Sequence, residues 1–155
     1  MMPSDLETVL ETIIAQLKAD VGVIAVLPKG RGGEYPVFHA RQKVKDVYPR
    51  ITVMDVAVQG EISGLNDAWD GSYNYEWNTA AVQIDIYSTR DSTQRDRIWM
   101  AAKNCLLKRL VQRALRAEDI IISGAPSSVN VDALTAAPPE YRKMMTYMIF
   151  WFSRA

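Results

Sequence analysis

The stretch Ala81-Val82-Gln83-Ile84-Asp85-Ile86-Tyr87 decides how this chain folds. Val82, Ile84 and Ile86 alternate with Gln83, Asp85 and Tyr87, the period of a strand that lays one face on a core and turns the other outward. This is the second half of a longer strand, from about Tyr73 to Ser88. Upstream, Ile51 to Gly60 is rich in Val and Thr and closes on a glycine, a second strand, and the turn-rich segment from Gly60 to Gly71 makes the two an antiparallel pair. Downstream, a Pro138-Pro139 turn leads into Tyr141 to Phe152, apolar or aromatic on both faces. Such a strand predicts cover on both sides, from helices or from a neighbouring subunit.

Helical periodicity frames these strands. Ser4 and Glu7 form a capping box, and Leu6, Val9, Leu10, Ile13, Ile14 and Leu17 recur at helical spacing, predicting an amphipathic helix that ends near Gly22. Val21 to Leu27 is too short to classify by period, and Pro28 to Gly33 is a flexible basic loop. Asp91 or Ser92 caps a long helix to about Arg116, with Ile98, Ala101, Ala102, Cys105, Leu106, Leu110 and Ala114 as its apolar stripe. Two β-rich pieces follow, Ile120 to Ile122 and Val129 to Val131, interrupted by Gly124 and Pro126. The expectation is an α/β (α+β) fold: one domain, 1–155, with a mostly antiparallel four-stranded sheet packed by an N-terminal helix and one long helix. Flexible loops are expected at about 28–47, 60–72 and 132–139. A chain of 155 residues, 48% hydrophobic, suits one domain that buries about two-thirds of its unfolded surface.

The residues do not converge on a reaction. The single histidine, His39, would have to serve any Ser-His-Asp or Cys-His set and reads as a surface or interface imidazole. Cys105 sits on the apolar stripe of the second helix, where a thiol behaves as a small hydrophobe. The glycines at 30, 32 and 33 lack the Lys-Ser/Thr of a phosphate loop. Asn66 to Gly71 mimics a calcium loop, but aligning Gly71 with the invariant glycine puts Trp77 where the bidentate Glu belongs. No catalytic residue, cofactor or metal ligand is assigned. A single cysteine fits a reducing compartment, and neither a secretory leader nor a run of about 20 apolar residues is present, so cytoplasmic assembly without a membrane is expected.

Charge is distributed unevenly in a chain whose eighteen Lys and Arg balance eighteen Asp and Glu. Between Ile51 and Thr89 stand six acids, Asp55, Glu61, Asp67, Asp70, Glu76 and Asp85, and no Lys or Arg. From Ser92 to Arg116 seven bases, Arg95, Arg97, Lys103, Lys108, Arg109, Arg113 and Arg116, meet one acid, Asp96. Cations in the last turns of a helix complement its dipole, which accounts for Arg109, Arg113 and Arg116 within a monomer. Two opposite surfaces on one subunit also suit a head-to-tail contact that closes into a ring. Trp69, Tyr73, Tyr75 and Trp77, beside the acidic loop, are of the types enriched at interface cores. The candidate interface residues are therefore Glu61, Asp67, Trp69, Asp70, Tyr73, Tyr75, Trp77, Lys108, Arg109, Arg113 and Arg116.

The order of elements resembles the tail terminator, or tail completion, proteins of long-tailed bacteriophages. An N-terminal amphipathic helix precedes Tyr48-Pro49-Arg50-Ile51-Thr52-Val53 and an acidic, glycine-containing loop. Then come Ala81 to Tyr87, a long helix, and a strand reading Arg142-Lys143-Met144-Met145-Thr146-Tyr147-Met148-Ile149-Phe150. The resemblance implies a non-enzymatic virion protein forming a hexameric ring on the last ring of a tail tube. Its implied partners are the tail tube protein and head-tail connector or neck proteins, with DNA passing through the ring without sequence-specific binding. The alternatives are a head-side neck or connector completion protein and a small metal-dependent nuclease using Asp55, Glu76 and Asp85.

Overall fold

The computed structural model describes residues 6–30, 32–39, 47–62, 75–123 and 126–154, with backbone alone for 57–62, 75–77 and 152–154. Strand β2 (Arg50–Ile62) runs antiparallel to β3 (Tyr75–Ser88), which runs antiparallel to β6 (Tyr141–Arg154). Ile51 lies opposite Ile86 and Val53 opposite Ile84, while Val82 and Ile84 lie opposite Tyr147 and Met145. All of these are buried, on one face of the sheet. Fully burying an Ile or Val side chain contributes about 1.5–3 kcal/mol. A one-residue slip of β3 would turn Val82, Ile84 and Ile86 off the core and cost on the order of 6 kcal/mol. The alternation read from the sequence thus fixes the register.

The sheet is six-stranded and mixed, which corrects the expectation of four mostly antiparallel strands. Strand β1 (Val37–His39) pairs parallel to β2, and β4 (Ile120–Ile122) and β5 (Ser127–Asn130) pair one after the other along the far edge of β6. The β-rich piece Ile120 to Ile122 read from the sequence is β4, and Val129 to Val131 overlaps β5, whereas three-residue β1 is too short to show a period and is revealed by its pairing with β2.

Helices cover the buried face. In α1 (Leu6–Ala19) the predicted stripe holds: Val9, Leu10, Ile13 and Leu17 are buried, with Leu6 and Ile14 packed at their margin. The predicted cap, Ser4, lies outside the described residues. The helix stops at Ala19 instead of running on to Gly22, because Asp20 adopts an extended backbone and caps a second helix, α2 (Val21–Val26), by accepting from the Val23 N–H at 3.1 Å. The unclassified apolar run is therefore helical.

The single long helix is two, α3 (Ser92–Leu107) and α4 (Arg109–Ala117). Asp91 caps α3 as expected, its carboxylate accepting from the Gln94 N–H at 2.7 Å. The break is at Lys108, where φ −61 and ψ 134 leave the helical region although no Pro or Gly marks the spot. Lys108 donates to Asp20 at 2.5 Å. The kink resets the apolar stripe: Val111 and Leu115 are buried, and Leu110, expected inside, is 77% exposed. Asp119, at φ 59, then turns the chain from α4 into β4.

Asp20 thus joins the α1–α2 corner to the α3–α4 corner. Burial pushes its carboxyl upward, but the Lys108 ammonium and the Val23 and Gly22 N–H groups outweigh burial and hold it below its ordinary 3.8. A depressed carboxylate contributes stability above its unfolded pKa, and that stability is lost as pH falls through the folded value. We expect Asp20→Ala to cost about 1–2 kcal/mol at neutral pH in urea denaturation, the worth of a helix cap. The variant should also lose part of the acid destabilisation that the unaltered chain shows below about pH 4.

Candidate functional site

The basic end of the helical layer is the best-defined of the predicted surfaces. Arg109, Arg113 and Arg116 are exposed on α4 around the exposed Leu110, and no described residue pairs with any of the three. Other cations of the block are committed within the monomer. Lys108 holds Asp20. Arg95, only 4% exposed, pairs with Asp96 at 3.0 Å and with Asp132 at 2.5 Å, tying α3 to the chain beyond β5. Lys103 lies over the Trp99 ring at 5.1 Å. What remains for a partner is Arg97, exposed on α3, and one face of the nine-residue α4, narrower than the seven-cation block in the sequence.

The acidic block also divides. Glu61 stands opposite Trp77, Glu76 opposite Ser153 and Tyr75 opposite Arg154, in the half of the sheet nearest the β2–β3 connection. The loop residues Asp67, Trp69, Asp70 and Tyr73 lie outside the described residues; of the loop expected at about 60–72, Gly60 to Ile62 belong instead to β2, and the remainder lies outside the described residues. Asp85 is only 1% exposed and is not a surface charge. It accepts from Arg142 at 2.6 Å, from Gln83 Nε2 at its two oxygens, 2.9 and 3.0 Å away, and from Tyr87 at 3.4 Å. The Arg50 and Arg142 guanidiniums lie 4.0 and 5.2 Å from the Tyr87 ring, and Tyr48 donates to Glu140 at 2.5 Å. Burial, then the Asp85 charge, push the Tyr87 phenol above its ordinary value, which makes it a poor acid. This cluster secures the face of the sheet opposite the helices. Sequence reading missed it because Asp85, Arg50 and Arg142 meet only through strand register.

The same register argues against the nuclease reading. Asp85 lies opposite Thr52, on the face away from the helices, whereas Asp55 lies opposite the buried Val82 on the helical face. The sheet separates the two carboxylates. Among the described residues no group of three His, Cys, Asp or Glu side chains is gathered as a metal site would require. Cys105 is buried, and burial, with the nearby Asp20 charge, pushes its thiol up to about 12, far from a reactive thiolate. His39 is half-buried at a cleft of about 420 Å³ lined also by Glu7, Glu11 and Lys18, without a nucleophile.

Apolar groups are exposed along the β5 side of the sheet: Val129 at 54%, Val131 at 45% and Leu134 at 61%. On β6 the two faces differ. Met145, Tyr147, Ile149 and Trp151 are buried under the helices, while Met148 on the opposite face is 44% exposed. Half of the expected cover on β6 therefore comes from the helices, and on the other face the described residues leave Met148 open. No described helix is long and apolar enough to cross a membrane.

No family model matches the chain, and no curated protein matches it either. Its fold is similar to that of a chain solved as part of the "virion of native gene transfer agent (GTA) particle". The similarity covers 92% of both chains, with a TM-score of 0.52 and 10% sequence identity. At that identity it is the fold that is shared.

Because Asp85 and Arg142 face each other with little access to water, removing one leaves the other uncompensated. We expect Asp85→Ala to cost about 3 kcal/mol by chemical denaturation, the low end for a broken buried pair since Arg142 retains some exposure.

Proposed function

We propose that this chain is a structural virion protein whose copies form a ring, hexameric in the simplest case, that caps the completed phage tail tube, stops its polymerisation and offers the surface to which the head joins. The observation that carries this reading is the arginine face of α4, exposed around Leu110 and without a partner among the described residues, in a molecule whose segment from Ile51 to Thr89 holds six acids and no Lys or Arg. Opposite surfaces on one subunit favour a heterologous, head-to-tail contact, and such contacts close into rings. The fold shared with a chain of a gene transfer agent virion, end to end in both chains, supports a place among virion proteins. The partners in this reading are the tail tube protein on one side and head-tail connector or neck proteins on the other, with DNA passing through the lumen unread. Assembly takes place in the host cytoplasm. A ring on the head side of the neck uses the same surfaces, and binding to purified tail tubes separates the two.

Native mass and negative-stain images of the purified chain test the reading: a ring is expected, and a strictly monomeric chain with DNA-cleaving activity in magnesium overturns it. Screening over about 10 Å at 0.1 M salt should slow assembly as salt rises. Arg109→Glu with Arg113→Glu should impair ring formation while changing stability by less than about 0.5 kcal/mol, as both side chains are exposed. Asp67→Lys with Asp70→Lys should restore part of the assembly. Normal assembly of the arginine variant at low salt would place the interface elsewhere.

A further inference from the structure

The rows of the sheet run through all its strands. Phe38 of β1 lies opposite Thr52, Thr52 opposite Asp85, Asp85 opposite Met144, and Met144 opposite Val129 of β5. Val37 reaches Asn130 through Ile51, Ile86 and Lys143, and His39 reaches Ser128 through Val53, Ile84 and Met145. The two edges of the sheet are therefore level. The same holds in its other half, where Ile120, Ile121 and Ile122 of β4 are level with Gly60, Gln59 and Val58 of β2. No described strand pairs with β2 on its outer side beyond Val53. Polarity agrees as well. β1 and β2 run one way and β4 and β5 the other. Two copies related by a rotation, with no flip, thus bring opposite edges together antiparallel and in line.

The β5 edge is chemically open. Ser127 to Asn130 are all exposed, and Ser127-Ser128-Val129-Asn130-Val131 carries no charge and no Pro, the usual devices that blunt an edge strand. Val131 donates to the Arg142 carbonyl, and Ala133 and Glu140 exchange both main-chain bonds. By alternation the odd residues of this strand turn their N–H groups toward β6, and Ser128 and Asn130 turn theirs outward. Charge falls on the same seam. α4 leads directly into β4, with Arg116 lining a crevice against Ile120, Ile121 and Ile122. Asp55 lies in β2 on the face that the helices cover.

We propose that copies of this chain join edge to edge through their sheets, β5 of one copy pairing antiparallel with β1 in the next. The inference rests on the ring reading above and adds to it the partner, a second copy, and the main-chain hydrogen bonds that hold it. Five strands at about 4.8 Å span about 24 Å per copy, so six copies close a continuous sheet about 46 Å across at the backbone.

The test uses the full chain. Ser128→Pro and Asn130→Pro remove the outward donors and leave the β5–β6 bonds intact. Each is expected to fold, with unchanged circular dichroism, and to assemble about tenfold or more weakly, while Ser128→Ala and Asn130→Ala form rings as the unaltered chain does. Rings at normal yield from the folded proline variants overturn the proposal. If a proline variant fails to fold, a cysteine scan decides. Phe38→Cys is combined in turn with a cysteine at each of positions 127 to 131 and the assembled protein is oxidised. Buried Cys105 does not compete. Disulfide-linked ladders at 127, 129 and 131 but not at 128 and 130 support the pairing; rings with no linkage, or linkage without that alternation, overturn it. Should the unaltered chain form no ring, the ring reading itself fails, and this inference with it.

Discussion

The pairing of β3 with β6 governs the rest of the molecule. It runs unbroken from Tyr75 opposite Arg154 to Ser88 opposite Tyr141, and every other strand is placed by attachment to one of these two or to β2. Because side chains alternate along a strand, this one register decides at once that Val82, Ile84 and Ile86 share a core with Met145, Tyr147 and Ile149, and that Asp85 meets Arg142 on the other side. The apolar side sets the register energetically, since several buried aliphatic side chains outweigh any single polar contact. The polar cluster then gives the opposite face a defined structure: a misplaced row would leave Asp85 buried without a cation.

Ion pairs do a second kind of work, at corners. Asp20 ends one helix, caps the next and holds Lys108, where the other helical pair is broken. Arg95 and Asp132 join α3 to the turn that follows β5, and Asp132 also accepts from the Arg142 N–H. These pairs fix the helices on the sheet and keep the β5 edge in line with β6. They also sort the charges. Cations and anions that sequence places in opposed blocks are partly cancelled within the monomer, and the exposed cations left among the described residues of the basic block are Arg97 of α3 and the arginines of α4.

That sorting is what the proposed assembly role draws on. A catalytic site gathers groups with displaced pKa values in a cleft. Here the displaced groups are a thiol packed in the core, a phenol between two guanidiniums and carboxylates held by cations, each explained by packing or pairing. The exposed features are instead surfaces: an arginine face on a helix, apolar side chains along β5, and two level sheet edges of opposite polarity.

The sequence by itself determined the long elements. The alternation in Ala81 to Tyr87, the stripe of α1, the Asp91 cap and the antiparallel relation of β2 and β3 were all legible, because period and capping are local and are repeated over many residues. Segregation of charge was legible for the same reason. Tertiary structure alone decided which strands the short edge strands pair with, the break at Lys108, the burial of Asp85 and the placing of Asp55 and Asp85 on opposite faces. Each depends on a partner distant along the chain: β4 and β5 on β6, Lys108 on Asp20, Asp85 on Arg142. A residue's period says which way it points, but only the fold says what it meets there. Phe38 and Val129 are ninety-one positions apart, and their shared level follows from four strand registers that no local pattern contains.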